Sequence, residues 1–214
     1  MDFTKPLDQT EVESGTMEFE VPCHVCGRNG VNRMCTCTIP YFKEIIIMAF
    51  TCNACGARST DVKVGGGFSE KAKKYTLQVE TVDDINRDLF KSETAAIFIP
   101  EVGLEVVSGS LGGIYSTVEG LIEKMLDTLK DDNPFVGDSS DIQKTNKFQE
   151  FLVKLDDLKE GKILPFTLIL DDPMSNCFIQ NPHYPEDDPK VTVEEYERTF
   201  EQNEDLGLND MMVD

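Results

Sequence analysis

The first sixteen residues carry polar side chains without period, too little apolar surface to offset the entropy of ordering a chain. Regular patterning begins near Met17. From Val31 to Thr38 and from Phe42 to Thr51, β-branched and aromatic residues dominate, with Ile39-Pro40-Tyr41 between the runs and a third run from Ser59 to Val64. The pattern predicts a three-stranded ribbon. Gly65-Gly66-Gly67 then breaks the chain and reads as a hinge, because a phosphate-binding loop would need Lys-Ser/Thr after its glycines and Phe-Ser-Glu-Lys follows here. Beyond it, Lys74 to Val82, Glu93 to Ile99 and Val102 to Val107 are strand candidates bounded by Gly, Pro or acidic turn residues.

Two segments have a different period. Val118, Leu121, Ile122, Met125, Leu126 and Leu129 fall on one helical face, with Ser116 and Glu119 as a capping box. Phe148, Phe151, Leu152, Leu155 and Leu158 form a second stripe, from a Ser140/Gln143 box to a stop at Gly161. The short connection predicts an antiparallel helical hairpin. Strand patterning returns at Pro165 to Leu170 and Ser175 to Gln180, so the hairpin reads as an insertion in a β domain. After the acidic loop NPHYPEDDP, Val193, Tyr196 and Phe200 suggest a terminal helix from Thr192, boxed by Glu195, to about Asp205. The expected organisation is a leader at 1–16, a ribbon at 17–66, a β domain at 67–190 with the hairpin at about 116–161, and a helix and tail at 191–214.

Four of the seven cysteines form two C-x-x-C-G knuckles, Cys23/Cys26 and Cys52/Cys55. A C-x-x-C turn brings two thiolates to one ion, and two such turns complete a tetrahedral zinc shell. Gly27 and Gly56 allow the backbone to turn so that amides point at sulfur. A strand hairpin fills the gap between the pairs, because its two outer ends return to one point. A thioredoxin-like pair would stand once, between a strand and a helix. A disulfide frame would leave Cys177 odd and would suit a secretory signal, of which the N-terminus has no pattern. One structural zinc is expected, and four thiolates leave no position for a reacting water. His24, inside the first knuckle, reads as a solvated or hydrogen-bonded side chain. Cys35 and Cys37 face one side of a strand and read as small packing residues, with a second metal or ligand exchange as the alternative.

Composition narrows the partners. The net charge of −20 argues against broad attraction to nucleic-acid phosphates or anionic lipid and favours a basic protein partner. No apolar run approaches the length of a membrane helix. The acid is concentrated from Glu186 to Asp205, with nine acidic and two basic residues, whereas Cys23 to Arg58 has four basic and one acidic. His183 with Glu186, Asp187 and Asp188 reads as a solvated turn before it reads as a cation site. With two histidines and no assembled constellation, the chain is not expected to be an enzyme.

The knuckles, IPYFKEIIIMAFTC, KSETAAIFIPE, LGGIYSTVEGL, DDP, NPHYPEDDP and YERTFEQNEDLGLND stand in an order that resembles the zinc-finger ZPR family, type one, from about Val21 to the end. The resemblance implies a mostly β fold: a zinc ribbon followed by a double-stranded β-helix, or jelly-roll-like, domain carrying an inserted helical hairpin. It also implies a tandem arrangement in eukaryotic members, of which this chain resembles the C-terminal copy. It implies a chaperone for translation elongation factor 1-alpha, cytoplasmic and nuclear localisation, and links to receptor tyrosine kinase cytoplasmic domains and the survival-of-motor-neuron complex. Ile39, Tyr41 and Phe42 near the ribbon turn are the candidate client anchors, the competing reading being that they pack the ribbon. The alternative function is a nucleic-acid-binding ribbon in translation or RNA processing, using Arg28, Arg33, Lys43 and Arg58.

Overall fold

The computed structural model describes residues 15–40, 42–65, 67, 69–131 and 142–210. The chain divides into two compact units, Met1–Gly67 and Phe68–Asp214, with the division falling in the sequence at the end of the glycine run.

In the first unit β1 (Met17–Pro22), β2 (Asn29–Thr38), β3 (Glu44–Thr51) and β4 (Arg58–Val64) form one antiparallel sheet in chain order. The ribbon therefore has one strand more than expected. In β1, Met17, Phe19 and Val21 alternate with Glu18 and Glu20, but six residues beside an unpatterned leader give a weak period. Pairing to β2 settles it: Met17 stands opposite Met34, Arg33 Nε donates to Glu18 Oε1 at 2.6 Å, and Asn29 Nδ2 donates to Glu20 Oε2 at 3.0 Å. Val21 faces Gly30, Val31 faces Thr51 and Thr51 faces Arg58, so the β1–β2 and β3–β4 turns lie at the same end of the sheet.

The second unit contains β5 (Ala72–Val79), α1 (Val82–Ile85), β6 (Asp88–Lys91), β7 (Ala96–Ile99), β8 (Leu104–Val106) and β9 (Ile114–Thr117). There follow α2 (Val118–Asp131), α3 (Ile142–Lys159), β10 (Phe166–Asp172), β11 (Phe178–Ile179), β12 (Val191–Tyr196) and α4 (Phe200–Asp205). The strands form a five-stranded sheet, β12-β5-β10-β7-β8, and a three-stranded sheet, β11-β6-β9, all antiparallel. Leu77, Ile97 and Leu168 from the first sheet, Leu89 and Ile179 from the second, and Leu121 and Leu155 from the helices share one core. This is the expected jelly-roll-like domain, and the α2–α3 hairpin enters it between β9 and β10. Lys159 Nζ lies 4.0 Å from Glu123 Oε1, joining the end of α3 to the early part of α2, as antiparallel helices require.

Three local expectations change. The strand expected to reach Val82 stops at Val79, because Thr81 and Asp84 make a capping box that starts α1. Strand β6 is not among the strands the pattern predicts: its four residues, Asp88–Lys91, are too few to show a period, although three of them are buried. At α2, Gly120 N–H donates to Thr117 Oγ1 at 3.1 Å, so Thr117 fills the capping position expected of Ser116. The Ser140/Gln143 box expected at the start of α3 includes Ser140, which lies outside the described residues.

The largest change is at the C-terminus. Residues from Val191 to Tyr196 form an edge strand of the five-stranded sheet, not the first turns of a helix, and only Phe200–Asp205 is helical, capped by Thr199 with Gln202. Val191 pairs with Leu77 and Val193 with Tyr75, and Lys73 Nζ reaches Glu195 Oε1 at 3.1 Å. The 191–214 segment is therefore not a separate helical tail: its described part belongs to the β unit.

Candidate metal centre

Each knuckle closes through the same two backbone bonds. Cys23 N–H donates to Arg28 O at 2.8 Å and Gly27 N–H to Cys23 O at 2.8 Å; Cys52 N–H donates to Ala57 O at 2.8 Å and Gly56 N–H to Cys52 O at 2.9 Å. Gly27 and Gly56 have φ of 71° and 78°, the left-handed region in which an L side chain crowds its own backbone. Both turns therefore need glycine. They connect β1 to β2 and β3 to β4, and the sheet register carries them to one end, where the two sulfur pairs meet.

Cys23 Sγ lies 3.7 Å from Cys55 Sγ, Cys26 Sγ lies 3.7 Å from Cys52 Sγ, and all four sulfurs lie within 4.8 Å of one another. A tetrahedron with zinc–sulfur bonds of about 2.3 Å has edges of about 3.8 Å. Disulfides, with sulfurs about 2.0 Å apart, do not fit that spacing, and all four are free thiols. The residues fit one zinc ion, held by Cys23, Cys26, Cys52 and Cys55. Such an ion supplies a cross-link between two turns and, with four thiolates, no open position for chemistry.

The amides favour thiolate at individual sulfurs. A backbone hydrogen bond at Arg28 holds the Cys26 thiol down to about 6, and one at Cys26 lowers Cys23. At Cys55 the Ala57 backbone acts in the same direction, but desolvation and the neighbouring sulfurs of Cys26, Cys52 and Cys23 outweigh it and push the thiol up to about 12. Four thiolates this close repel one another, and a divalent cation removes that conflict.

Beneath the sulfurs lies a support that the cysteine spacing did not reveal. Cys23, Phe50 and Cys52 are buried together, with Val21, Cys26 and Ala57 packed around them. The Phe50 ring occupies the space over Gly30: a Cβ there would come within 2.4 Å of Phe50 Cζ. The sequence signal was a glycine inside a strand pattern, which marks a close approach. The His24 ring centroid lies 6.2 Å from that of Phe50, and the side chain is exposed and outside the sulfur cluster, as expected.

The remaining candidates lie elsewhere. Cys35 and Cys37 stand opposite Ile47 and Ile45 on β2, half-buried, and among the described residues only the four knuckle cysteines have metal-ligand geometry. The β2–β3 turn is at the far end of the ribbon, seven residues from the Val31–Thr51 pair, or roughly 23 Å at ~3.3 Å per residue. At that turn Ile39 is 3% exposed, so it is packed and not displayed as an anchor; Phe42, whose N–H donates to Ile39 O at 3.1 Å, is half-buried. Tyr41 lies outside the described residues. Arg33, one of the four cations considered for nucleic acid, is held by Glu18. Asp188, considered with His183 for a cation, is buried in an ion pair with Arg87.

Comparison with known proteins agrees with this geometry. The family model described as the ZPR1 zinc-finger domain matches residues 11–70, and the one described as the ZPR1 jelly-roll domain matches residues 83–208. A "Zinc finger chaperone zpr1" of Schizosaccharomyces pombe is 43% identical over 212 residues, covering 97% of this chain and 46% of that protein. "Zinc finger protein ZPR1" of Bos taurus is 42% identical over 208 residues, covering 97% of this chain and 45% of that protein. A ZPR1-like protein of Methanocaldococcus jannaschii is 32% identical over 163 residues, with 73% and 78% covered. The chain thus spans less than half the length of the two eukaryotic relatives.

Proposed function

This chain belongs to the ZPR1 family, and on that premise we propose that it is a zinc-organised interaction module that acts as a folding chaperone for translation elongation factor 1-alpha. The observation that carries the reading is the closed four-thiol centre, which is built to hold a platform rigid and offers no position for a substrate. The name of the fission-yeast relative supports the word chaperone. The charge of −20 suits capture of a basic client by electrostatic steering. The chain acts as a binding protein and not as an enzyme. It corresponds to one module, equivalent to the C-terminal copy, of a two-module arrangement.

The client meets the ribbon; of the three turn residues, the half-buried Phe42 suits contact better than the buried Ile39. Working on nascent elongation factor places the protein in the cytoplasm, with nuclear passage and contacts to receptor tyrosine kinase domains and the survival-of-motor-neuron complex as secondary roles.

The deciding experiment is synthesis of elongation factor 1-alpha in a cell-free extract depleted of this protein, with add-back of the zinc-loaded chain. Protease resistance of the new factor should rise on add-back and stay low with buffer or a Cys52→Ser variant. Equal resistance in all three reactions refutes the reading.

A further inference from the structure

In the five-stranded sheet of the second unit, β8 ends one edge with only three residues, whereas β12 ends the other with six, VTVEEY. An edge strand exposes a row of unpaired amides and carbonyls, and proteins commonly guard it with lysine, proline or a bulge. Strand β12 has no lysine and no proline. Gln78 N–H donates to Lys190 O at 2.9 Å, and stepping by two along the antiparallel register gives the ladder bonds to Thr192, Glu194 and Tyr196. The amides and carbonyls of Val193 and Glu195 therefore point away from β5. Among the described residues, no strand pairs with that side.

The side chains indicate what fits there. Val193 lies on the same face as Val191 and opposite Tyr75, both packed against the core, yet it is 48% exposed. The apolar face of the sheet runs out at this residue, and one more strand would cover it. Thr192, Glu194 and Glu195 are exposed, as are Glu197 and Glu201 just beyond. The cations nearby are engaged: Lys71 Nζ lies 3.5 Å from Glu197 Oε1 and Lys73 Nζ 3.1 Å from Glu195 Oε1, Lys190 Nζ bonds Asp84 Oδ2 at 2.7 Å, and Arg198 Nη1 donates to Ser69 O at 2.8 Å and Pro173 O at 3.0 Å. This leaves Glu194, opposite Lys74 in the register, as the strand carboxylate outside these pairs. A second copy pairing here would bring glutamates together, and like charges across a ladder are unfavourable. A strand of alternating basic and apolar residues meets no such penalty.

We propose that the outer edge of β12 is a docking site for an extended basic peptide segment, which adds a sixth strand to the sheet through the amides of Val193 and Glu195. Its apolar residues cover Val193, and its alternating Lys or Arg side chains lie on the opposite face, beside Glu194. This site lies in the second unit, and it does not depend on the identity of the client.

The test uses the full zinc-loaded chain and three labelled synthetic peptides: one alternating lysine with valine, one with glutamate for lysine, and the lysine peptide N-methylated on the amides that would face β12. The first should bind at low salt and slow hydrogen exchange at the Val193 and Glu195 amides; the other two should not bind. E194K should weaken binding about threefold or more, with an unchanged melting temperature to show that the fold survives. Three results overturn the proposal: equal binding of the N-methylated peptide, binding without protection of those amides, or self-association of the free chain that protects them.

Discussion

Cys52→Ser is the substitution whose outcome the ribbon geometry fixes most firmly. Cys52 is fully buried beside Phe50, its sulfur 3.7 Å from that of Cys26. Serine places a poor zinc ligand and a hydroxyl at a site built for a thiolate. Structural zinc in small modules contributes on the order of 10 kcal/mol of folding free energy, while a whole domain is commonly stable by only ~5–15 kcal/mol. Loss of the ion therefore removes as much as the unit has. The buried ribbon residues, Cys23, Ile39, Ile45, Phe50 and Cys52, are too few to replace it. The core of the second unit includes none of them, so its melting transition should persist. The expected result is about one zinc per chain in the unaltered protein and none in the variant, with loss of dispersed amide resonances from residues 17–64 only. A zinc-free variant that keeps those resonances refutes the argument, and chelation of the unaltered protein should reproduce the variant's spectrum.

Gly30→Ala should lower ribbon stability by about 1–3 kcal/mol, because the new methyl falls 2.4 Å from Phe50 Cζ; denaturant titration of the ribbon signals with zinc in excess measures it. Burial raises the Asp84 carboxyl, but hydrogen bonds from Lys190, Thr81 and the Glu80 and Thr81 amides outweigh it and hold the group at about 2, against an ordinary 3.8. A depressed carboxyl stabilises above its unfolded value and loses that contribution as pH falls, so the second unit should weaken by about 2 kcal/mol between pH ~4 and ~2. Asp84→Asn should abolish that acid limb and cost about 3 kcal/mol at neutral pH, since Arg87 and Lys190 lose a buried partner; urea titrations across that pH range would show both. Leu155→Ala, at a side chain with no exposure, should cost about 2–5 kcal/mol; an unchanged calorimetric midpoint would mean that α3 does not belong to the core.

What the sequence determined by itself was whatever depends on residues close together along the chain. The C-x-x-C-G turns are local, since cysteine spacing and a left-handed glycine build each half of the centre. The α2 and α3 stripes are likewise long enough for their period to specify a helix, and Leu121, Met125, Leu152 and Leu155 all reach the core. Tertiary structure decided where a short segment fits two periods. Val193, Tyr196 and Phe200 satisfy a helical stripe, but Val191 and Val193 alternate as in a strand, and β5 supplied the ladder, the Lys73–Glu195 pair and the cover over Val191. Strand β1 became a strand for the same reason, because Met34, Arg33 and Asn29 were there to meet it. Partners distant in sequence leave no local signature: the burial of Ile39, the pairing of Asp188 with Arg87 and the Phe50 ring over Gly30 all come from contacts that chain folding alone creates.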